Sequence, residues 1–196
     1  MAADGVDVIV MDDGLQNPSL LQDLRIIVAD GEIGFGNGRP IPAGPLREQV
    51  AAGIARADAL IVMGEDRCHL IKSYSNQIKC LQATVTSRDS LLSSGRPLLA
   101  FAGIGRPEKF RTTLIAAGAN IAAFHAFGDH HPYSESELKA LAADATQLSA
   151  ELVTTEKDWM RLTAEWRSRI KAIEIDVLWR DEAVLTALLD GILKSG

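Results

Sequence analysis

Two adjacent aspartates follow an apolar run near the start of the chain, in the stretch VIVMDDGLQNPSL at residues 8–20. Because neighbouring carboxylates repel each other, Asp12 and Asp13 indicate either a solvated turn or a bound cation. A hydrophobic strand that ends in Asp is typical of a Walker B site, in which the acid holds Mg²⁺ directly or through water. Gln16 supplies an amide that could reach the same centre. The residues alone leave both interpretations open.

A second polar cluster lies in FGDHHPYSESEL, between a predicted strand and a predicted helix. It contains Asp129, His130 and His131. A carboxylate beside an imidazole can fix its tautomer and raise its basicity, so one interpretation is a histidine general base. The alternative is a helix-entry loop in which these side chains act as caps. A metal site is disfavoured because adjacent histidines point in different directions and no further His or Cys ligands recur nearby.

Two more polar loops follow predicted strands. In VTTEKDWMRL, Thr155 is a candidate helix cap with Asp158 as its return partner, or both residues face a functional crevice. In AFAGIGRPEKF, Arg106 stands at a predicted helix N-terminus, which is a natural place for an anion. The glycines of that loop are equally consistent with a simple turn.

Short apolar runs alternate with amphipathic stretches, which predicts an α/β fold with a mostly parallel sheet flanked by helices. The predicted strands are Val6–Met11, Arg25–Ala29, Ala59–Met63, Ile78–Thr84, Pro97–Ala102, Asn120–Phe127, Glu151–Thr154 and Ile170–Val177. The predicted helices are Arg47–Ala57, Pro107–Gly118, Ser134–Ala145 and Asp181–Lys194. The stretch Gly31–Glu48 has five glycines and three prolines in 18 residues, which predicts a long ordered loop. Loops of that length inside a domain are usually functional.

Composition narrows the classes of function. The chain has 196 residues and a net charge of −6, which argues against a nucleic-acid-binding protein with its usual basic face. Cys68 and Cys80 have no metal-type spacing and are interpreted as thiols in a reducing compartment. No run approaches the roughly 20 apolar residues of a membrane span.

A Walker B carboxylate normally works with a phosphate-binding loop of the form G-x-x-x-x-G-K-[ST]. These 196 residues contain no such sequence. The glycine-rich stretch GEIGFGNGR lacks the Lys-Ser/Thr pair, and it does not open a helix. It is therefore not interpreted as a nucleotide loop.

Five stretches together resemble the tetraacyldisaccharide 4′-kinase family, the lipid A 4′-kinases of Gram-negative bacteria. They are VIVMDDGLQNPSL, GFGNGRPIPAGPLRE, AFAGIGRPEKF, FGDHHPYS and VTTEKDWMRL, in the order of the family. The resemblance implies a fold similar to P-loop kinases. It also implies phosphorylation of the 4′-hydroxyl of a lipid A disaccharide 1-phosphate, with ATP and Mg²⁺, at the cytoplasmic face of the bacterial inner membrane.

The resemblance also implies roles for individual residues. Asp12 and Asp13 match the acidic pair that serves Mg²⁺–ATP, with Gln16 nearby. One histidine of the D-H-H stretch matches the catalytic histidine of the family, and His130 is favoured over His131. That histidine is paired in the family with an upstream Asp that activates the sugar hydroxyl.

Further residues are implied near the substrate or the nucleotide. Arg47 and Glu48, in PLRE, are candidates for either ligand. Arg39, Arg47 and Arg106 are candidates for the phosphate of the disaccharide.

The sequence also departs from the family pattern. Family members carry the phosphate-binding loop and the Asp partner of the catalytic His upstream of D-D-G-x-Q, and this sequence begins at about that motif. Residues 1–196 are therefore expected to be an incomplete kinase domain, truncated at the N-terminus, with the peripheral membrane contact in the missing part. If the fragment is real, it is expected to be cytoplasmic.

Phosphoryl transfer depends on positioning and charge neutralisation, so we expect that this chain alone does not turn over ATP. Kinase activity in purified residues 1–196 would contradict that expectation. The alternatives are a non-catalytic α/β binding module and a Mg²⁺-dependent hydrolase that uses Asp12, Asp13 and His130.

Overall fold

A computed structural model describes residues 8–193. Its strands are β1 (Ile26–Asp30), β2 (Ala59–Met63), β3 (Lys79–Thr86), β4 (Pro97–Ala102), β5 (Asn120–Ala126), β6 (Glu151–Thr155), β7 (Lys171–Ile173) and β8 (Asp176–Trp179). Its helices are α1 (Val50–Arg56), α2 (Leu70–Tyr74), α3 (Pro107–Ala116), α4 (Glu135–Gln147), α5 (Glu156–Trp159), α6 (Ala164–Arg167) and α7 (Glu182–Leu193). Within this described part, no helix is long and apolar enough to cross a membrane.

The chain divides into two compact units. The first comprises Met1–Thr84 and Trp179–Gly196, and the second comprises Val85–Leu178. The chain passes from the first unit to the second within β3 and returns within β8.

The sheet of the first unit has the order β1-β2-β3-β8, with β1, β2 and β3 parallel. Its central strand β2 is apolar and almost completely buried, as expected when both faces of a sheet are covered. Leu60 and Val62 pack on one side with Ile54 of α1. Ile61 packs on the other side with side chains of α7, including Leu185.

The sheet of the second unit has the order β5-β4-β6-β7, and its neighbouring strands are parallel. Leu99 and Phe101 of β4 pack on one side against α4, and Leu98 and Ala100 pack on the other against α3. The carboxyl ends of parallel strands lie at one edge of a sheet, which is where α/β proteins bind ligands. The loops after β4, β5 and β6 therefore lie along the same edge.

The predicted α/β class with mostly parallel sheets is confirmed. Strands β2 and β4 have the predicted bounds, and the other predicted strands from β1 to β6 agree within two residues at each end. Helices α3 and α4 also agree within two residues. The short helices α2, α5 and α6 were not predicted, because four or five residues show no clear helical period.

Two strand predictions are wrong. Val6 and Asp7 lie outside the described residues, but residues 8–11 form no strand, and Val10 is 90% exposed. An apolar run becomes a strand only when its backbone groups pair with a neighbouring strand, and none is placed beside this run within residues 8–193. The predicted strand Ile170–Val177 is broken in the middle, where the Ser87 hydroxyl donates to the Glu174 carbonyl at 2.6 Å.

Gly31 lies at the end of β1, where the backbone of a neighbouring loop approaches closely. A Cβ at this position would lie 2.3 Å from the Glu65 carbonyl oxygen. Gly31→Ala is therefore expected to lower the free energy of unfolding by about 2–3 kcal/mol, measured by urea denaturation. The matched control is Gly128→Ala, because a Cβ there meets nothing within 4 Å. Equal stability of the two variants would contradict the prediction.

Candidate active site

Asp158 joins two of the loops at the edge of the second unit's sheet. Its side chain is 0% exposed. Its Oδ2 accepts hydrogen bonds from the backbone N–H of Gly103, after β4, at 3.0 Å and from the Thr155 hydroxyl, at the end of β6, at 2.7 Å. The Thr155 hydroxyl in turn accepts from the Asp158 N–H at 3.0 Å, which confirms the predicted helix cap.

Arg161 extends this network to the loop after β5. Its Nη1 lies 3.3 Å from Asp158 Oδ1, and its Nη2 lies 2.7 Å from His130 Nδ1. The backbone N–H of His130 donates to the Gly103 carbonyl at 3.0 Å. All three loops are thus joined through hydrogen bonds that start at Asp158.

The two adjacent histidines have different surroundings. The His130 side chain is 65% exposed, and its Nε2 lies 3.8 Å from Asp129 Oδ2, beyond hydrogen-bond distance. His131 is 26% exposed, and its Nε2 lies 3.0 Å from Glu137 Oε1. The His131 ring also packs 4.8 Å from the ring of Phe127. His130 is therefore the histidine that is open to a ligand, whereas His131 is built into the loop.

Glu137 connects His131 to the start of α4. Its Oε2 accepts from the Ser134 N–H at 2.8 Å, as part of the predicted capping box. The hydrogen bonds from Ser134, together with that from His131, hold the pKa of Glu137 below its usual range. The carboxylate therefore stays ionised and fixes the loop that carries both histidines.

The Tyr133 ring packs beneath these loops against Phe127 and His131. Its hydroxyl is buried and has no hydrogen-bond partner within the described residues. Burial, together with the negative charge of Asp158, raises the pKa of Tyr133 well above its usual range, so the hydroxyl stays protonated. A Cβ on Gly103 would lie 2.7 Å from this hydroxyl, so the loop after β4 needs glycine here.

Arg106, three residues after Gly103 in the same loop, is the exposed N-cap residue of α3.

The first unit brings together two other predicted stretches. Asp13 Oδ2 pairs with Arg47 Nη2 at 3.0 Å. The Gln16 amide donates to Glu48 Oε1 at 2.7 Å, and the same oxygen accepts from Arg56 at 2.6 Å. The D-D-G-L-Q and P-L-R-E stretches are therefore neighbours in space.

The predicted loop Gly31–Glu48, which ends with the P-L-R-E stretch, is ordered. Backbone hydrogen bonds link Gly34 to Asp30 at 2.7 Å and Leu46 to Arg39 at 3.2 Å. The Arg39 side chain is exposed in this loop. Cys68 and Cys80 are partly buried free thiols, as predicted for the burial of both side chains, and burial raises the pKa of Cys80.

The carboxylates of Asp12 and Asp13 and the amide oxygen of Gln16 are the hard oxygen donors that Mg²⁺ prefers. Among residues 8–193, no three His, Cys, Asp or Glu side chains are clustered as a metal site. Mg²⁺ commonly takes only one or two carboxylates and completes its shell with phosphate oxygens and water. The residues present therefore fit a Mg²⁺ ion that is shared with a phosphate ligand.

Arg161 was not singled out from the sequence, although it lies in one of the polar stretches. The available signal was its spacing, since Asp158 and Arg161 are three residues apart around a predicted helix start. Its contact with His130 could not be read from spacing, because the two residues belong to different loops.

Mostly parallel sheets with covering helices place this chain among the α/β proteins, a class in which ligands commonly bind at the carboxyl ends of the strands. The fold is similar to that of the crystal structure of "apo" form LpxK from Aquifex aeolicus in complex with ATP, with a TM-score of 0.62 at 24% identity. That similarity covers 92% of this chain and 56% of the other.

Residues 1–194 match the family described as tetraacyldisaccharide-1-P 4′-kinase, and the chain belongs to this family. A tetraacyldisaccharide 4′-kinase of Rhodospirillum centenum is 46% identical over 196 residues, covering 98% of this chain. One of Paramagnetospirillum magneticum is 45% identical over 190 residues, covering 96% of this chain. The chain spans 58% of the length of each of these relatives.

Proposed function

We propose that this chain carries part of the machinery for ATP-dependent phosphorylation of the 4′-hydroxyl of a lipid A disaccharide 1-phosphate. The observation that carries the proposal is the convergence of three loops on buried Asp158, with His130 exposed at their edge. That convergence unites three of the five stretches by which the sequence resembles the family.

Asp12 and Asp13, with Gln16, would hold the Mg²⁺ ion that accompanies ATP. The ion supplies neutralisation of phosphate charge, which phosphoryl transfer requires. Arg47 donates to Asp13 and so orients one of the two carboxylates. Glu48 accepts from both Gln16 and Arg56 and so holds the Gln16 side chain in place.

His130 would contact the sugar hydroxyl that is phosphorylated, with Asp129 beside it and His131 holding the loop in place. Arg39, Arg47 and Arg106 are exposed, and each is a separate candidate for contact with the 1-phosphate, because guanidinium groups form strong charge-assisted bonds to phosphate oxygens. Because the substrate is a lipid and the donor is ATP, the proposed reaction would take place at the cytoplasmic face of the inner membrane, with peripheral attachment.

The proposal is tested in a protein of full family length. The full-length fusion consists of the part of the Rhodospirillum centenum relative that this chain leaves uncovered, placed ahead of residue 1. We expect the fusion to transfer label from [γ-³²P]ATP to the disaccharide 1-phosphate in detergent micelles, with Mg²⁺. The 196-residue chain alone is expected to transfer none. A folded fusion without transfer, while the relative itself is active in the same assay, would contradict the proposal.

A further inference from the structure

The hydrogen bond between Arg161 and His130 determines what the exposed imidazole can do. We propose that Arg161, held by Asp158, is a positioning residue that selects, between the two tautomers of the neutral His130 imidazole, the one with its proton on Nε2. His130 then presents a hydrogen-bond donor, and not a base, at the edge of the loops. The inference deepens the proposed function and rests on it for its meaning in the reaction.

The chemistry of the guanidinium and the imidazole fixes which group donates in this contact. A guanidinium has N–H donors and no acceptor, so the short contact of 2.7 Å requires His130 Nδ1 to accept. A neutral imidazole with an accepting Nδ1 carries its proton on Nε2. Neither nitrogen then has a free lone pair, so the proton of a substrate hydroxyl has to be taken by another group.

Arg161 is held in place by buried and backbone groups. Its side chain is only 27% exposed and is anchored by Asp158, which is completely buried and cannot follow a displaced guanidinium. Nη1 also approaches the Gly103 carbonyl at 3.5 Å. The same carbonyl accepts from the His130 N–H, so the backbone of His130 and the Arg161 guanidinium are both fixed relative to Gly103.

The other ring nitrogen of His130, Nε2, has no short contact with the neighbouring carboxylate. His130 has a φ of 58°, a left-handed conformation that the surrounding loops must hold. The Asp129 carboxylate lies 3.8 Å from Nε2 and so makes no short hydrogen bond with this N–H. The Nε2 proton is therefore available to an oxygen acceptor such as a carboxylate, a sugar oxygen or a phosphoryl oxygen.

The test uses the 196-residue chain labelled with ¹⁵N-histidine, so it does not depend on kinase activity. Long-range ¹H–¹⁵N spectra are recorded at pH about 8, above the ordinary imidazole pKa of about 6.5. We expect His130 to show an unprotonated Nδ1 and a protonated Nε2. Arg161→Met should move the Nδ1 resonance to higher frequency, because its hydrogen bond is lost. Arg169→Met is the matched control, since that guanidinium stacks on Trp166 instead.

Unchanged signals of His125 and His131 would show that the Arg161 variant is folded. A protonated Nδ1 in the unaltered chain, or an identical His130 spectrum in Arg161→Met, would overturn the inference. In the full-length fusion, Arg161→Met should lower kcat more than it changes KM. An inactive fusion with the expected spectrum would count against the proposed function, whereas an active fusion with a protonated Nδ1 would count against the inference alone.

Discussion

Replacing His130 by Ala is expected to lower kcat of the full-length fusion by about 100-fold or more, as removal of a single hydrogen-bond donor at a reacting oxygen commonly does. The side chain is 65% exposed and its only short side-chain contact among the described residues is Arg161, so its removal leaves little packing behind. Stability should therefore change little while turnover falls. The measurement is the initial rate of label transfer at saturating disaccharide 1-phosphate.

His125 offers the matched control for this experiment. It lies on β5 with its side chain 40% exposed and its Nε2 3.9 Å from Asp144. His125→Ala should leave kcat unchanged. Equal rates for the His130 and His125 variants would show that His130 has no part in the reaction.

His131→Ala should instead lower the free energy of unfolding, because the His131 ring packs against Phe127 and Tyr133.

The second large effect is expected on stability, from Asp158→Ala. The substitution leaves the Gly103 N–H and the Thr155 hydroxyl without their acceptor and releases the Arg161 guanidinium. Loss of one partner from a buried charged network destabilises strongly, so the free energy of unfolding should fall by about 3 kcal/mol or more. Urea denaturation followed by tryptophan fluorescence measures it, since Trp166 is 1% exposed in the same unit.

Two further variants make this prediction specific. Asp158→Asn should have a smaller effect, because its amide oxygen can still accept from Gly103 and Thr155 while its NH₂ group faces Arg161. Glu156 is an exposed carboxylate in the same short helix, α5. Glu156→Gln should therefore change the free energy of unfolding by less than about 0.5 kcal/mol. An Asp158→Ala variant as stable as the Glu156 variant would contradict the network described for this edge.

Sequence patterns predicted the bounds of the buried central strands well, but they could not show which apolar runs have a neighbouring strand. Ala59–Met63 and Pro97–Ala102 are apolar runs whose bounds were predicted correctly, because each is covered on both faces and flanked by parallel neighbours. The run at residues 8–11 is just as apolar, yet it forms no strand. The apolar content of a segment shows that it could be buried. Whether it forms a strand also depends on a neighbouring strand, which the segment's own residues do not specify.

The site shows the same division. Ser134 with Glu137 and Thr155 with Asp158 were predictable, because a helix cap is a local arrangement with a fixed spacing. The second role of Asp158, as acceptor for Gly103, joins residues 55 positions apart and has no local signature. The roles of Asp12, Asp13, Gln16, His130 and the other candidate residues stay predictions, as does the single incomplete domain.

The position of the new phosphate on the lipid is the sharpest test of phosphoryl transfer to the 4′-hydroxyl. The lipid product of the full-length fusion is isolated and fragmented by mass spectrometry. We expect the added phosphate to be found on the non-reducing sugar, and we expect the His130→Ala fusion to form that product about 100-fold more slowly. Release of inorganic phosphate from ATP with no phosphorylated lipid, or a phosphate at any other position, would contradict the proposed transfer.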